Sequence, residues 1–348
     1  MSPEGGPSGG GPVRRTWRRC FCFGLCAVVL MLVSACAPAD DGGAALNGTT
    51  QGGTQVTPAQ AHIVVTLDFG TRTLLDAVAA IDADTTALDA LKAVAEVGTA
   101  YGGGFVQSIN GTGSSSVSGT SSKADWFYYV NGFTARTGAA GYRVHDGDTV
   151  NWDYHPWGTR QGISATIGCF PQAFVNGYGG ERRSTVVACE EPFAGEAAAI
   201  VSLLKARGAP DVVSLPLVEV TQQQRESLNL VIVAGSAAPE VLEIYENRTK
   251  LGLFTSLHDS VLRTYSASGS EAGAYTTGTG VLEAMQSPWN PSGTGACENV
   301  VLLVSGCDED GVRRAAQAVV ESHAEFLTWC AALVTSDGAA GPVPDSLA

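Results

Sequence analysis

"DWFYYVNG" (residues 125–132) and "VNWDYHPW" (residues 150–157) are two aromatic-rich stretches that read as neighbouring strands. In the first, Trp126, Tyr128 and Val130 fall on one face and Phe127 and Tyr129 on the other, because side chains alternate along a strand. Asn131-Gly132 then turns the chain. In the second, Val150, Trp152 and Tyr154 share one face. Thr149, Asn151, Asp153 and His155 share the other, the alternation expected where one side meets a core and one meets water. Asp146-Gly147 supplies a tight turn ahead of it. Trp126, Tyr128, Trp152 and Tyr154 are therefore expected as core. Tyr129, Asn131, Phe133, Tyr142, His155 and Trp157, at strand edges or in turns, are the candidates for a surface that holds a flat ligand. Rings suit that role because they give large, rigid contact area at small entropy cost.

Working outward, "HIVVTLDFG" reads as a strand and "TTALDALKAVAEV" as a helix, with Leu88, Leu91 and Ala95 at helical spacing and Thr85 or Thr86 as its cap. "GGGFVQSING" gives a turn, a short strand and a second turn, and "TGSSSVSGTSS" a low-complexity surface loop. Residues 60–157 are thus expected to form a small α+β domain, one helix on a mixed sheet. Beyond them the rhythm changes. "STVVAC", "DVVSLPLV", "NLVIVAG" and "NVVLLVSG" are short continuous apolar runs, the mark of strands buried on both faces. Helical stretches such as "FAGEAAAIVSLLKARG" and "SAAPEVLEIYEN" lie between them. This alternation predicts an α/β Rossmann-like domain with a mostly parallel sheet over 160–334. Residues 335–348 read as a disordered tail.

The chain opens on "VRRTWRR", a 16-residue apolar run and "VSAC", the layout of an export signal ending at a cysteine. Four arginines against Glu4 alone give the first 35 residues a charge of +3, so the rest of this −14 chain stands at −17. Such an acidic surface repels phosphate backbones and argues against a nucleic-acid partner. Residues 36–59, rich in Gly, Thr and Ala, read as a flexible tether. Export leaves Cys169, Cys189, Cys297, Cys307 and Cys330. A strand of about eight residues from Glu298 runs roughly 26 Å, and a helix of about 21 residues returns roughly 32 Å. Cys297 and Cys330 are accordingly expected as a disulfide and Cys169 and Cys189 as a second, with Cys307 buried and free.

Chemistry leaves little trace. His258-Asp259-Ser260 has the residue types of a hydrolase triad but no elbow to converge them. "VAGSAAPE" and "VSGCDEDG" sit between strand and helix without a phosphate-loop pattern, and "DED" reads as a helix-start device. No cysteine or histidine spacing suggests zinc, and Asp82, Asp84 and Asp89 lack calcium-loop spacing, so no metal site is expected. No enzyme is expected either.

"TTALDALKAV", "GGGFVQSING", "DWFYYVNG" and "GYRVHDGDTVNWDY" resemble, in order, the transcobalamin-like C-terminal domain, also known as DUF4430. Its marks are a W-x-Y-x-V-N-G strand and a G-D-x-V-x-W-x-Y strand. In transcobalamin and intrinsic factor the related domain covers one face of cobalamin beside a large helical barrel, and this chain encodes no such barrel. "VSAC" resembles the lipobox of bacterial lipoproteins, which implies lipid on Cys36. "GTGVLEAMQSPWNP" with "NVVLLVSGCDEDGVRRAAQAV" is similar to noncatalytic Rossmann-like modules of S-layer and cellulose-synthase periplasmic proteins. Together these imply a binding lipoprotein on the outer face of the cytoplasmic membrane, held in the bilayer through Cys36 and capturing cobalamin or another corrinoid for a vitamin uptake transporter. The alternative is an envelope structural or adhesion protein that binds cell-wall polymer or protein.

Overall fold

The aromatic stretches do become neighbouring strands, and their register decides where each ring goes. The structure, a computed structural model, describes residues 58–113, 123–157 and 162–344. The export signal, Cys36, nearly all of the tether and most of the Ser-rich loop lie outside the described residues. β1 (Gln60–Leu67), β2 (Arg72–Ala80), β6 (Ala124–Val130), β7 (Phe133–Thr134) and β8 (Thr149–Pro156) form a five-stranded sheet in the order β2-β1-β8-β6-β7. β1 runs parallel to β8 and antiparallel to β2, while β6 is antiparallel to β8. Trp126 pairs with Tyr154 and Tyr128 with Trp152. Their ring centroids lie 5.2 and 4.9 Å apart, the second pair stacked. The two tryptophans are buried, so this face is core, as the alternation requires.

The helix Ala87–Lys92 closes over this face with Leu88 and Leu91 buried. Thr86 caps it reciprocally with Asp89: the Asp89 N–H donates to Thr86 Oγ1 (3.1 Å), and the Thr86 N–H donates to Asp89 Oδ2 (3.2 Å). β3 (Val97–Ala100), β4 (Phe105–Ile109) and β5 (Thr112–Gly113) make a separate small sheet.

The second half corrects the expected α/β Rossmann-like domain with a mostly parallel sheet. β9 (Thr185–Cys189), β10 (Val212–Pro216), β11 (Asn229–Val233), β15 (Gly280–Gln286), β16 (Val300–Gly306), β17 (Ala331–Val334) and β18 (Ala340–Val343) form one seven-stranded sheet in the order β10-β9-β11-β16-β15-β17-β18. Its first three neighbouring pairs are parallel and its last three antiparallel. With β12 (Thr255–His258), β13 (Val261–Tyr265) and β14 (Glu271–Tyr275) in a fourth, antiparallel sheet, strands dominate the described residues. The reason for the discrepancy is physical. A continuous apolar run reports burial on both faces, and that is met whichever way the strand points. "GVLEAMQ" is β15, fully buried, inserted against the direction of β16. Ala340–Val343, within the stretch expected as a disordered tail, supplies the edge strand.

Asp308 begins the helix Glu309–Glu321 by accepting the Gly311 N–H at 2.9 Å, the helix-start role expected of "DED". That helix has 13 residues, not about 21. His258-Asp259-Ser260 belongs to the β12–β13 hairpin, with Asp259 and Ser260 both left-handed, as the tightest hairpin turns require.

The described residues belong to one compact unit. A continuous apolar cluster runs from Ile63 and Leu91 through Val187 and Val304 to Phe326. The β1–β2 turn is pinned at Gly70, whose φ is +80° and whose Cβ, if present, would stand 1.7 Å from the Thr328 carbonyl oxygen. Only glycine fits there. Thr328 Oγ1 donates to the Gly70 carbonyl at 2.6 Å.

Candidate functional site

The six residues expected to form one flat-ligand surface are dispersed. Tyr129 and Phe133 are buried. Asn131 is fully buried in the β6–β7 turn, with φ of 51°. Its Nδ2 donates to Asp148 Oδ1 and the Gly177 carbonyl, both at 2.7 Å, and its Oδ1 accepts the Thr149 N–H at 2.8 Å. A side chain so committed has nothing left for a ligand. Tyr142 is also largely buried, its hydroxyl donating to Asp148 Oδ2 (3.1 Å) and accepting the Gly179 N–H (3.1 Å). Burial pushes Asp148 above the usual carboxylate range, against the three donors that hold it. Only Trp157 is exposed, at 42%, with Nε1 donating to Asp125 Oδ2 (2.6 Å) and Lys123 Nζ 5.6 Å from its ring.

His155 belongs to a different arrangement. The face of β8 expected to meet water is buried, because the second half of the chain covers it. Asp153 is 2% exposed and satisfied by four donors. Thr66 Oγ1 (2.6 Å) and the Gly70 N–H (2.9 Å) reach Oδ1, while the Phe69 N–H (3.0 Å) and His155 Nδ1 (2.6 Å) reach Oδ2. The His155 ring lies stacked between Phe69 and Phe127, centroids 4.5 and 4.3 Å away. Phe69 in turn meets Phe254 edge-on at 5.3 Å. This polar seam ties the β1–β2 turn to β8, all its hydrogen bonds lying within residues 66–155, and the second half meets it through Phe254 and, at Gly70, Thr328. Its groups bond inward, which makes it architecture.

The open constellation lies at the other end of β6. A groove of about 450 Å³ is built from three segments distant in sequence: 136–145, 178–181 and 296–298. Tyr142 and Tyr178, ring centroids 5.0 Å apart, form an aromatic wall. Gly177 sets Tyr178 there: its φ is +66°, and a Cβ would lie 1.9 Å from the Glu181 carbonyl oxygen. Arg136 follows β7, its N–H donating to Tyr178 Oη (3.3 Å) and its Nη1 to the Ala296 carbonyl (3.0 Å). Arg143, paired with Asp84, and His145 line the same groove. Glu181 and Glu298 stand across it, each within 4 Å of Arg183. Sequence reading singled out Tyr142 alone of these residues. Arg136 and Tyr178 carry no local motif, and the contact that unites them with Ala296 spans 160 residues.

The five described cysteines are buried and free, which corrects both expected disulfides. β15 lies between β16 and β17, the strands that Cys297 and Cys330 precede. That places those strands about 10 Å apart, beyond the roughly 7 Å Cα limit for a bridge. Cys297 Sγ, in the groove, donates instead to the Thr134 carbonyl at 3.3 Å. Burial raises its thiol to about 11, although Arg136 pulls the other way. Cys169, left-handed at φ 69°, and Cys189, at the end of β9, are likewise not bonded to each other. Among the described residues no group of three or more His, Cys, Asp or Glu side chains is placed to hold a metal ion.

Residues 84–156 match a family described as a domain of unknown function, DUF4430, from the turn before the helix cap Thr86 to the end of β8. No curated protein matches the chain. Among solved structures, a candidate metal-binding protein from Ruminococcus gnavus is similar at 20% identity, over 28% of this chain and 97% of that one, with a TM-score of 0.21.

Proposed function

We propose that this chain is a noncatalytic binding protein displayed on the outer face of the cytoplasmic membrane, anchored in the bilayer by lipid on Cys36, with a small-molecule ligand held in the Tyr142–Tyr178 groove. The observation that carries the reading is the groove: about 450 Å³, walled by two rings and edged by Arg136, Arg143 and His145. That volume lies in the range of small-molecule sites. Its lining is mostly polar, with Arg136, Arg143, His145, Glu181 and Glu298 around the edges of two tyrosine rings, which suits a polar ligand.

Capture of cobalamin for an uptake transporter is the finer form of this proposal. A corrinoid is much larger than the groove and would enter it by one edge, with the ring system outside. Titration of the full chain with cyanocobalamin, cobinamide and haem, followed by tryptophan fluorescence and by NMR signals of the groove, tests it. Saturable shifts at Tyr142 and Tyr178 that disappear in Tyr178→Ala support corrinoid capture. Saturable shifts with small molecules alone leave the groove and remove the corrinoid. No saturable shift there with any compound of a broad panel would sink the binding reading.

The envelope-adhesion reading draws on a different surface. β10 is the edge of the seven-stranded sheet, with Val213 exposed, and Val218 beyond it is 92% exposed. An open edge carrying apolar side chains suits addition of a partner strand. Retention on purified cell wall that is lost in a Val213→Lys, Val218→Lys variant would favour it.

A further inference from the structure

We infer that the ligand of the groove carries an anionic group, carboxylate or phosphate, set against the guanidinium of Arg136. The inference rests on the groove reading above and adds the chemistry of the ligand to it. Its basis is the pairing of charges around the cavity. Arg143 is engaged by Asp84. Glu181 and Glu298 share Arg183, at 3.8 and 3.9 Å. Arg136 lines the cavity and has no carboxylate within 4 Å among the described residues. A guanidinium offers five N–H donors in a planar fork, and among the described residues Nη1 alone is engaged, by the Ala296 carbonyl.

That bond has a second consequence. Held at Nη1, and with its backbone N–H on Tyr178 Oη, Arg136 is oriented before any ligand arrives. A fork already held in place loses less freedom when it binds an anion. Planar forks match carboxylate and phosphate oxygens two at a time. The Tyr178 and Tyr142 rings beside it, 9% and 5% exposed, offer only a narrow apolar edge, so the site suits an anionic head on a small frame.

The overall charge of −14 sharpens the point. Distant acidic groups are screened beyond about 8 Å at physiological ionic strength. Inside the groove, the near and unpaired Arg136 governs.

The test uses NMR titration of the full chain with benzoate and phenyl phosphate, against benzamide as the neutral analogue of the same shape. Benzoate or phenyl phosphate is expected to shift the Arg136 and Tyr178 signals saturably, with benzamide at least about tenfold weaker, the size of a charged hydrogen bond. Arg136→Ala should remove the preference for the anion, and Arg136→Lys, which keeps charge without the fork, should restore it in part. A preference for benzoate over phenyl phosphate assigns a carboxylate ligand, and the reverse a phosphate. Benzamide binding in the groove as tightly as the anions, or anion affinity unchanged in Arg136→Ala, overturns the inference and leaves the groove reading standing. No shift at Arg136 or Tyr178 with any of the three probes overturns it, while the broad panel still decides the groove reading.

Discussion

The polar seam around Asp153 and the groove around Arg136 are made of similar materials, namely charged groups, hydroxyls and rings. They differ in how fully those materials are used. In the seam, four donors converge on one carboxyl, and the imidazole that supplies one of them is clasped by two phenyl rings. In the groove, a guanidinium spends one donor on a carbonyl and keeps the rest. Satisfied polarity locks the β1–β2 turn onto β8, whereas unspent polarity beside an open cavity is available to a ligand. Composition alone does not separate the two.

The comparison breaks most readily at Asp153. Asp153→Ala leaves three buried donors without an acceptor, Thr66 Oγ1 keeping Asn151 Oδ1 and the Trp152 carbonyl at 3.2 Å, and should destabilise the fold by about 3–5 kcal/mol, measured by urea unfolding. A loss under about 1 kcal/mol would show that the seam is not what holds the β1–β2 turn on β8.

Glu283 sharpens it with a buried carboxyl whose balance differs. It accepts the Phe254 and Thr255 N–H groups (3.1 and 3.2 Å) and Thr255 Oγ1 (2.8 Å), yet burial outweighs these and lifts it from 4.5 to about 7. A folded-state value raised above the unfolded one means that the native state binds more protons between the two. Stability should therefore fall as pH rises from about 4.5 to about 7, by up to about 3 kcal/mol, and then level off. Glu283→Gln should flatten that slope and be the more stable protein at pH 8. Thermal melts of both proteins across this range provide the check, and parallel profiles would contradict it.

Tyr142 stands at the boundary, its ring in the groove and its hydroxyl on Asp148. Tyr142→Phe keeps the wall and removes one donor and one acceptor, so a cost of about 1–2 kcal/mol is expected, with the groove still open to ligand. Arg136→Ala should be the smallest effect, within about 0.5 kcal/mol, as for an exposed side chain outside the core. A large loss of stability there would make Arg136 architectural and erase the distinction from the seam.

Much of the local structure was legible. The period-2 alternation of residues 125–130 and 150–154 placed Trp126, Tyr128, Trp152 and Tyr154 on one core face, and Thr86 announced its helix. The continuous apolar runs marked β9, β11 and β16 as strands buried on both faces. The same alternation misread Thr149, Asn151, Asp153 and His155 as facing water. It reports a change of polarity between two faces, and a polar face can be buried whenever another part of the chain brings the partners.

By itself, then, the sequence determined which residues form strands and which rings pair across them, because alternation and turn chemistry act over a few residues. The direction of β15, the free state of Cys297 and Cys330, the burial of His155 and the meeting of Arg136 with Tyr178 were decided only by the tertiary structure. Each depends on what stands opposite a residue from well along the chain, from 14 to 26 positions in the β15–β16 pairing to 160 between Arg136 and Ala296. A hydrogen bond or a strand pairing at that separation leaves no period in the sequence, since its partners are chosen by the packing of the whole chain.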